Sequence, residues 1–395
     1  MKFDAAVIGA ELDAWLAALR LAEHGRKVCV IAPGAGSLHY APGGLRVLGR
    51  VDGKMVDTPM AQMARLDGRH PFRLAGPARC EDALAWFGKC MAIGLQPQGN
   101  NTPVVTPAGL GLPVLHADVA QARVADIDGR KTTLLSFAGH RDFPAGLAAA
   151  QIRRAGQAVD CIELAAPDER TDSAAIARAF DDLDRTAHWC AAVRGVLPGG
   201  TQLLLLPAVL GLSLAPEVLA LVEERLGLVV REIATLPPCL PGMRLAAELE
   251  GRVREAGVVV RAGVQAARGE WQNGRVAALI DGRGRAVEAE VFLVATGGVL
   301  MGGLEVASDG VVVETALGLE VCSTGPLEAI GREATLSALH ATGVQTDNDF
   351  RAGENVLVTG RTLAHHDPAS ELSAEGVSIV SAWCAAETAH AMLEG

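Results

Sequence analysis

Two stretches of the chain carry residue types that could do chemistry. The first is the turn Gly9-Ala10-Glu11-Leu12-Asp13-Ala14, set between an apolar run and a helix-like one. A strand, a turn spaced G-x-G-x-x-G or G-x-G-x-x-A, and a helix form a dinucleotide-binding fingerprint. Its second glycine lets the backbone reach a pyrophosphate resting on the helix N-terminus. Gly9 holds the tight-turn position and Ala14 the third, but Glu11 stands at the second. A glutamate there brings bulk and a charge of the wrong sign for a phosphate. The second stretch is Gly360-Arg361-Thr362-Leu363-Ala364-His365-His366-Asp367-Pro368. The planar fork of Arg361 matches phosphate or carboxylate oxygens. His365, His366 and Asp367 have the makings of a metal or acid–base cluster, although adjacent histidines on an extended chain point to opposite faces.

A general acid or base would need to titrate near neutrality, and histidine does so. His39, in the loop Ser37–Gly44, and His140 are candidates alongside His365. Arg141 and Asp142 are expected to pair on a surface turn. Asp347 and Asp349 sit in a polar loop with fewer oxygen ligands than calcium needs. A helix N-terminus carries about half a positive charge and prefers an anion. Without a phosphate, Glu11 could supply that anion itself. Arg361 follows the last apolar strand, so Glu11 and Arg361 are expected to approach each other and fill the phosphate site.

The elements that must position these residues follow from hydrophobic patterning. The opening reads as strand Phe3–Ile8, helix Leu12–His24 stopped by Gly25, and strand Lys27–Ala32. Both strands are nearly all apolar, as in a parallel sheet covered on both faces. Farther on, helices are expected near Pro59–Leu66 and Cys80–Gly94. "KTTLLSFAG", a helix from Pro144 to Ala155, "QAVDCIEL", a helix Ser173–Leu183 capped by Thr171 or Asp172, "TQLLLLP" and "GLVVREIA" make a second alternation of strand and helix. A helix from Pro241 to Ala256 leads back to "GVVVRAG", a hairpin turned at Asn273-Gly274, and "AVEAEVFLVATGG", which ends in Gly297 and its neighbour. "ENVLVTGR" is a last strand and "AEGVSIVSAWCAAETAHAML" a closing helix. The expected fold is α/β: a Rossmann-like, doubly wound domain over 1–50, 241–298 and 350–395, interrupted by a second α/β domain over 51–240 and 299–349.

Half of the 395 residues are hydrophobic but only 4% are aromatic, so the core must be built from Ala, Val and Leu. The net charge of -11 argues against a nucleic-acid protein, which would show a basic stripe. Eight cysteines without a C-x-x-C read as small core residues in a reducing compartment, not as ligands of zinc or an iron–sulfur cluster. No secretory leader is readable, because Asp4, Glu11 and Asp13 interrupt the first apolar run. Nor is there a membrane span: Pro207 and Gly211 break the nearest candidate. A cytoplasmic protein is expected.

Taken together, "KFDAAVIGAELDAWLAALRLAEHG", "SLHYAPGGLRVLG", "VVTPAGLGLP", "FAGHRDFPAGLAAAQIRRAGQAVDCIEL", "TLPPCLPGMRLAAELEGRVREAGV", "FLVATGGVLMGGLEV" and the segment from Gly343 to Ala382 resemble the B subunits of anaerobic glycerol-3-phosphate dehydrogenase over nearly the whole length. The resemblance implies a flavoprotein fold with FMN or FAD, bound in part by Gly9, Ala10, Glu11, Leu12, Ala14, Gly297, Gly360, Arg361 and Gly376. It implies no metal. It implies a respiratory complex that oxidises glycerol 3-phosphate to dihydroxyacetone phosphate and passes electrons towards a quinone. A catalytic flavoprotein chain and an iron–sulfur, membrane-anchoring chain would be its partners, which could hold it at the inner membrane.

The family's closing motif runs Gly-Ser-x-x-Gly-Gly-Phe-Asp-Pro and then a glycine-rich turn. Here Ala364 and His365 replace two glycines, and Leu372, Ala374 and Glu375 replace three more. Side chains there would occupy the space of an isoalloxazine ring. The chain is therefore expected to bind flavin poorly or not at all and to serve as a scaffold or regulatory component. A working FMN- or FAD-dependent oxidoreductase, and a stand-alone oxidoreductase of another small hydroxy compound, stay open.

Overall fold

The computed structural model describes residues 2–92, 95–116, 120–308, 311–322 and 333–395. Contacts divide the chain into two compact units: Met1–Leu38, Arg46–Asn100 and Glu248–Gly395 form the first, and His39–Leu45 with Asn101–Ala247 the second. The chain passes from one to the other within the helix Leu240–Glu255. Relative to the expected domains, the segments 51–100 and 299–349 group with the nucleotide-binding unit. The helix Pro77–Cys90 packs on the closing helix, a contact that no local pattern announces.

The first unit is built on an eight-stranded sheet. Its opening repeats the expected order: β1 (Lys2–Ile8), α1 (Leu12–Glu23) and β2 (Val28–Ala32). Then follow β3 (Val259–Ala262), β4 (Ala266–Gln272), β5 (Arg275–Asp281), β6 (Ala286–Val294), β7 (Val356–Val358) and α2 (Ala374–Glu394). The strand order is β3-β2-β1-β6-β5-β4, with β7 also paired to β6 and the eighth strand, Arg351–Gly353, antiparallel to β7. β6 is long enough to have two partners on one side. Its N-terminal end pairs antiparallel with β5, while Phe292–Val294 pair in parallel with Val356–Val358. Asn273 and Gly274 both take positive φ, 50° and 81°, and turn β4 into β5 as the Asn-Gly pair predicts.

Every residue of β2 is buried, as are the last four of β1. α1 and α2 cover one region of this sheet and pack on each other. α2 is buried along most of its length because it is made largely of Ala, Val, Ser and Gly. Small side chains let helices approach closely, so the scarcity of aromatic residues is met by dense packing of small ones.

The second unit carries a parallel four-stranded sheet in the order Val229–Ile233, Leu203–Pro207, Thr132–Phe137, Val159–Leu164. Phe180 and Trp189 meet edge to face at 4.9 Å in its core. The helix expected over Ser173–Leu183 ends at Phe180, and a second helix, Leu183–Val196, follows it. The break has a local cause. Asp181 turns away to accept the backbone N–H groups of Leu212, Ser213 and Leu214, and Asp182 caps the next helix through the Arg185 N–H. Asp172, one of the two expected caps, accepts from the Ala175 N–H.

The cysteines are free. Cys29, Cys80, Cys190, Cys239 and Cys384 are buried as expected, and Cys161 is exposed. Among the described residues no helix is long and apolar enough to cross a membrane.

Candidate functional site

The turn after β1 is shaped by glycines that tolerate no side chain. Gly9 has φ +136°, and a Cβ on it would lie 1.9 Å from the Ala295 carbonyl oxygen. Its N–H donates to Ile31 at 2.9 Å, tying the turn to β2. Trp15 closes it from below through an indole N–H to Ala10, at 3.0 Å. Ala10, Leu12 and Ala14 are buried.

Glu11 is the N-cap residue of α1, yet its side chain does not cap the helix. The carboxylate reaches the loop after β2 instead. There it accepts the Ser37 N–H at 2.8 Å and, through its other oxygen, the Ser37 hydroxyl. Two further glycines make room for it. A Cβ on Gly297 would come within 2.9 Å of Glu11 Cγ, and one on Gly36 within 3.0 Å of Glu11 Oε1. The Glu11 residue is only 6% exposed. The residue at the fingerprint's second glycine position therefore carries a buried carboxylate that takes two donors from Ser37.

Arg361 is not its partner. Among the described residues Glu11 and Arg361 form no ion pair, and no hydrogen bond or ion pair engages the Arg361 guanidinium. The expected pairing fails because Glu11 turns towards Ser37, on the loop that follows β2. Arg361 sits on a short 3-10 turn, Gly360–Thr362, with its carbonyl oxygen 2.5 Å from where a Gly298 Cβ would be.

Asp13 lies in the first turn of α1 and is 1% exposed. It accepts a hydrogen bond from the Thr359 hydroxyl at 2.6 Å. Gly360, at φ +60°, is pressed on it so closely that a Cβ would meet Asp13 Oδ2 at 2.4 Å. Burial pushes the Asp13 carboxyl up to about 7, and the Glu11 charge adds to the rise; the Thr359 hydrogen bond and the charge on Arg361 oppose it.

The closing segment behaves differently. His365 and Leu372, which stand where the resemblance expects glycine, adopt φ of +66° and +53°. Both therefore hold a left-handed backbone although neither is glycine. Glu375 pairs with Arg46, whose Nε donates to Oε2 at 2.8 Å. Gly376 packs against the backbone of Val47, where a Cβ would lie 2.6 Å from Val47 Cα, so the N-terminal turn of α2 needs a glycine at that position.

His366 is 1% exposed, with neither ring nitrogen hydrogen-bonded, and lies edge-on to His70 with ring centroids 6.1 Å apart. Burial first, then the neighbouring His70, lowers its pKa to about 4, so the ring is neutral. His70 accepts the Phe72 N–H on Nδ1, which leaves the proton on Nε2 facing Glu371 at 3.1 Å. Asp367 caps the helix Pro368–Glu371 and meets His340 and Ser337. His365 Nε2 lies 3.9 Å from Cys322 Sγ, so the three residues that suggest a cluster have different neighbours. Among the described residues no group of three or more His, Cys, Asp or Glu could hold a metal ion.

Of the other candidates, His39 belongs to the second unit, where its carbonyl accepts the Cys239 N–H at 2.7 Å. His140 is buried and bonded to Ser173 at 2.9 Å, and burial lowers its pKa. Asp142 does not pair with Arg141; it accepts both the N–H and the hydroxyl of Ser173. Asp349 pairs with Arg79, and Asp347 accepts the N–H groups of Asp349 and Arg351.

The motifs alone give no role to Ser37, Asp13, Thr359, Arg46, His70 or Glu371. Ser37 has a readable signal: a small hydroxyl residue after Pro33-Gly34-Ala35-Gly36, at the end of a strand that neighbours the fingerprint strand. The others are joined to partners hundreds of residues away.

The FAD binding domain family matches residues 4–364. The B subunit of the anaerobic glycerol-3-phosphate dehydrogenase of Yersinia enterocolitica is 28% identical over 425 residues, covering 100% of this chain and 99% of its own. That of Vibrio vulnificus strain YJ016 is 25% identical, covering 98% of this chain and 96% of its own. Among solved structures, Mycobacterium smegmatis Sdh1 in complex with UQ1 matches 100% of this chain and 69% of that one, with a TM-score of 0.45 and 9% identity. The 3-ketosteroid-delta4-(5alpha)-dehydrogenase of Rhodococcus jostii RHA1 matches 98% of this chain and 97% of its own, with a TM-score of 0.35 and 11% identity.

Proposed function

The chain belongs to the FAD binding domain family, and on that premise we propose that it is the counterpart of the B subunits in an anaerobic glycerol-3-phosphate dehydrogenase complex, with its own flavin site weakened. The complex would oxidise glycerol 3-phosphate to dihydroxyacetone phosphate and pass the electrons to a quinone. This chain would act as a scaffold or regulatory component next to a catalytic flavoprotein chain. An iron–sulfur chain would hold both at the inner membrane from the cytoplasmic side.

The observation that carries the reading is the Glu11 carboxylate on Ser37. A flavin dinucleotide brings a negatively charged pyrophosphate to a helix start that offers about half a positive charge. Here the residue at that helix start carries a buried carboxylate bonded to Ser37, and an incoming phosphate would be repelled by it. The turn does not fit a pyrophosphate.

The test is the visible spectrum of the purified chain, with flavin quantified after denaturation. A colourless protein, or one with flavin far below one per chain, is expected. About one flavin per chain would overturn the reading.

A second reading is favoured by a different observation. The backbone at His365 and Leu372 keeps the left-handed conformation of a glycine-rich cradle. In a working oxidoreductase that cradle would lie under FMN or FAD, with Arg361 on a phosphate and His365 taking the hydroxyl proton of a small hydroxy substrate.

A further inference from the structure

We propose that Glu11 is an internal competitor for an anion site whose donors are the N–H and hydroxyl of Ser37 and the start of α1. The inference rests on the reading that the flavin site is weakened, and it says what weakens it. Three observations converge on it. First, the Glu11 side chain bypasses the capping role its position offers and goes to Ser37. Second, the pocket it enters is cleared by glycines on two separate segments, Gly36 and Gly297. Third, Asp13 beneath it is buried against Thr359 and Gly360, so the carboxylate nearest to solvent at this turn is that of Glu11. The donors and the space of an anion site are thus all present, and the occupant is part of the chain. The ligand class excluded is one that carries a phosphate or pyrophosphate to the first turn of α1.

The competition predicts how binding changes when the occupant is removed. Glu11→Gly frees both Ser37 donors and removes the carboxylate next to the helix start. A hydrogen bond to a charged group contributes about 1.5–3 kcal/mol, which corresponds to roughly a tenfold to hundredfold gain in affinity for a phosphate-bearing ligand. Glu11→Gln keeps the shape and can still accept from Ser37, but carries no charge, so it should fall between the two. Ser37→Ala in the Glu11→Gly background should reverse part of the gain, because it removes the hydroxyl donor and keeps the backbone N–H.

The measurement is calorimetric binding of FAD, ADP and riboflavin to the full chain and these variants at fixed ionic strength. Tighter binding of FAD and ADP to Glu11→Gly, with riboflavin unchanged, is the expected result. Equal gains for riboflavin would mean that only room was created, and would overturn the proposal. So would FAD binding that is the same in the original chain and in Glu11→Gly. If the glycine variant fails to fold, Glu11→Gln decides: an affinity for ADP no greater than that of the original chain sinks the proposal. A chain purified with about one flavin already bound would instead sink the functional reading.

Discussion

The first turn and the closing segment depart from a flavin-binding pattern in opposite ways. At Gly9–Ala14 the backbone glycine is kept and a side chain fills the space beside it: Glu11 occupies a site and satisfies its donors. At Gly360–Gly376 side chains have been added, while the backbone still takes the glycine conformation at His365 and Leu372. A side chain that finds its own donors and a side chain carried on a left-handed backbone are different events. The first is offset by new hydrogen bonds, and the second stores strain, because a non-glycine residue in the left-handed region costs roughly 1–2 kcal/mol.

The largest effect should come from the turn. Gly9→Ala forces a Cβ into the Ala295 carbonyl at a separation no structure tolerates. Unfolding in denaturant should show a loss of more than about 3 kcal/mol, or no folded protein. A loss below about 1 kcal/mol would mean that the turn can relax and that it is less fixed than the closing segment.

Asp13 gives the next effect, and its sign can be worked out. Its folded pKa, about 7, lies above the ordinary value of 3.8, so between these the folded state holds a proton that the unfolded state releases. This group's contribution is therefore most favourable below about pH 4, weakens as pH rises, and levels off above about pH 7. Asp13→Asn mimics the protonated form and can still accept from Thr359. Its stability relative to the original chain should be near zero at about pH 4 and grow by about 1.4 kcal/mol per pH unit at most until neutrality. A difference that does not change with pH would show that Asp13 is ionised throughout.

The smallest effect belongs to the closing segment. His365→Gly removes left-handed strain but adds unfolded-state entropy of about 0.5–1 kcal/mol. A net gain of up to about 1 kcal/mol is expected by thermal or chemical denaturation. A clear loss would mean that the His365 side chain holds the segment, and the contrast between the two regions would collapse.

Much of this arrangement is legible because it is written locally. The apolar strands Lys2–Ile8 and Val28–Ala32, the Asn273-Gly274 turn and the buried closing helix all follow from short-range pattern. The missing glycine at position 11 is legible too, as is the fact that a carboxylate meets a helix start. Its partner is not. Charge favours Arg361, whereas the structure gives Glu11 to an uncharged serine 26 residues away. Charge complementarity is the signal a sequence displays, while a backbone N–H is present at nearly every residue and marks nothing. The left-handed His365 is hidden for a related reason: a substituted glycine removes the only letter that reports a positive φ. His70 and Glu371 meet across 301 residues, and only the packing of the helices brings them together.

The left-handed backbone at His365 and Leu372 has a consequence for redesign. Reinstating glycine at either position requires no movement of the main chain, because the path already runs where glycine would take it. Each glycine substitution is therefore a single independent step with no intermediate that must refold, and a protein engineer can cross the ground between the two kinds of loop one codon at a time.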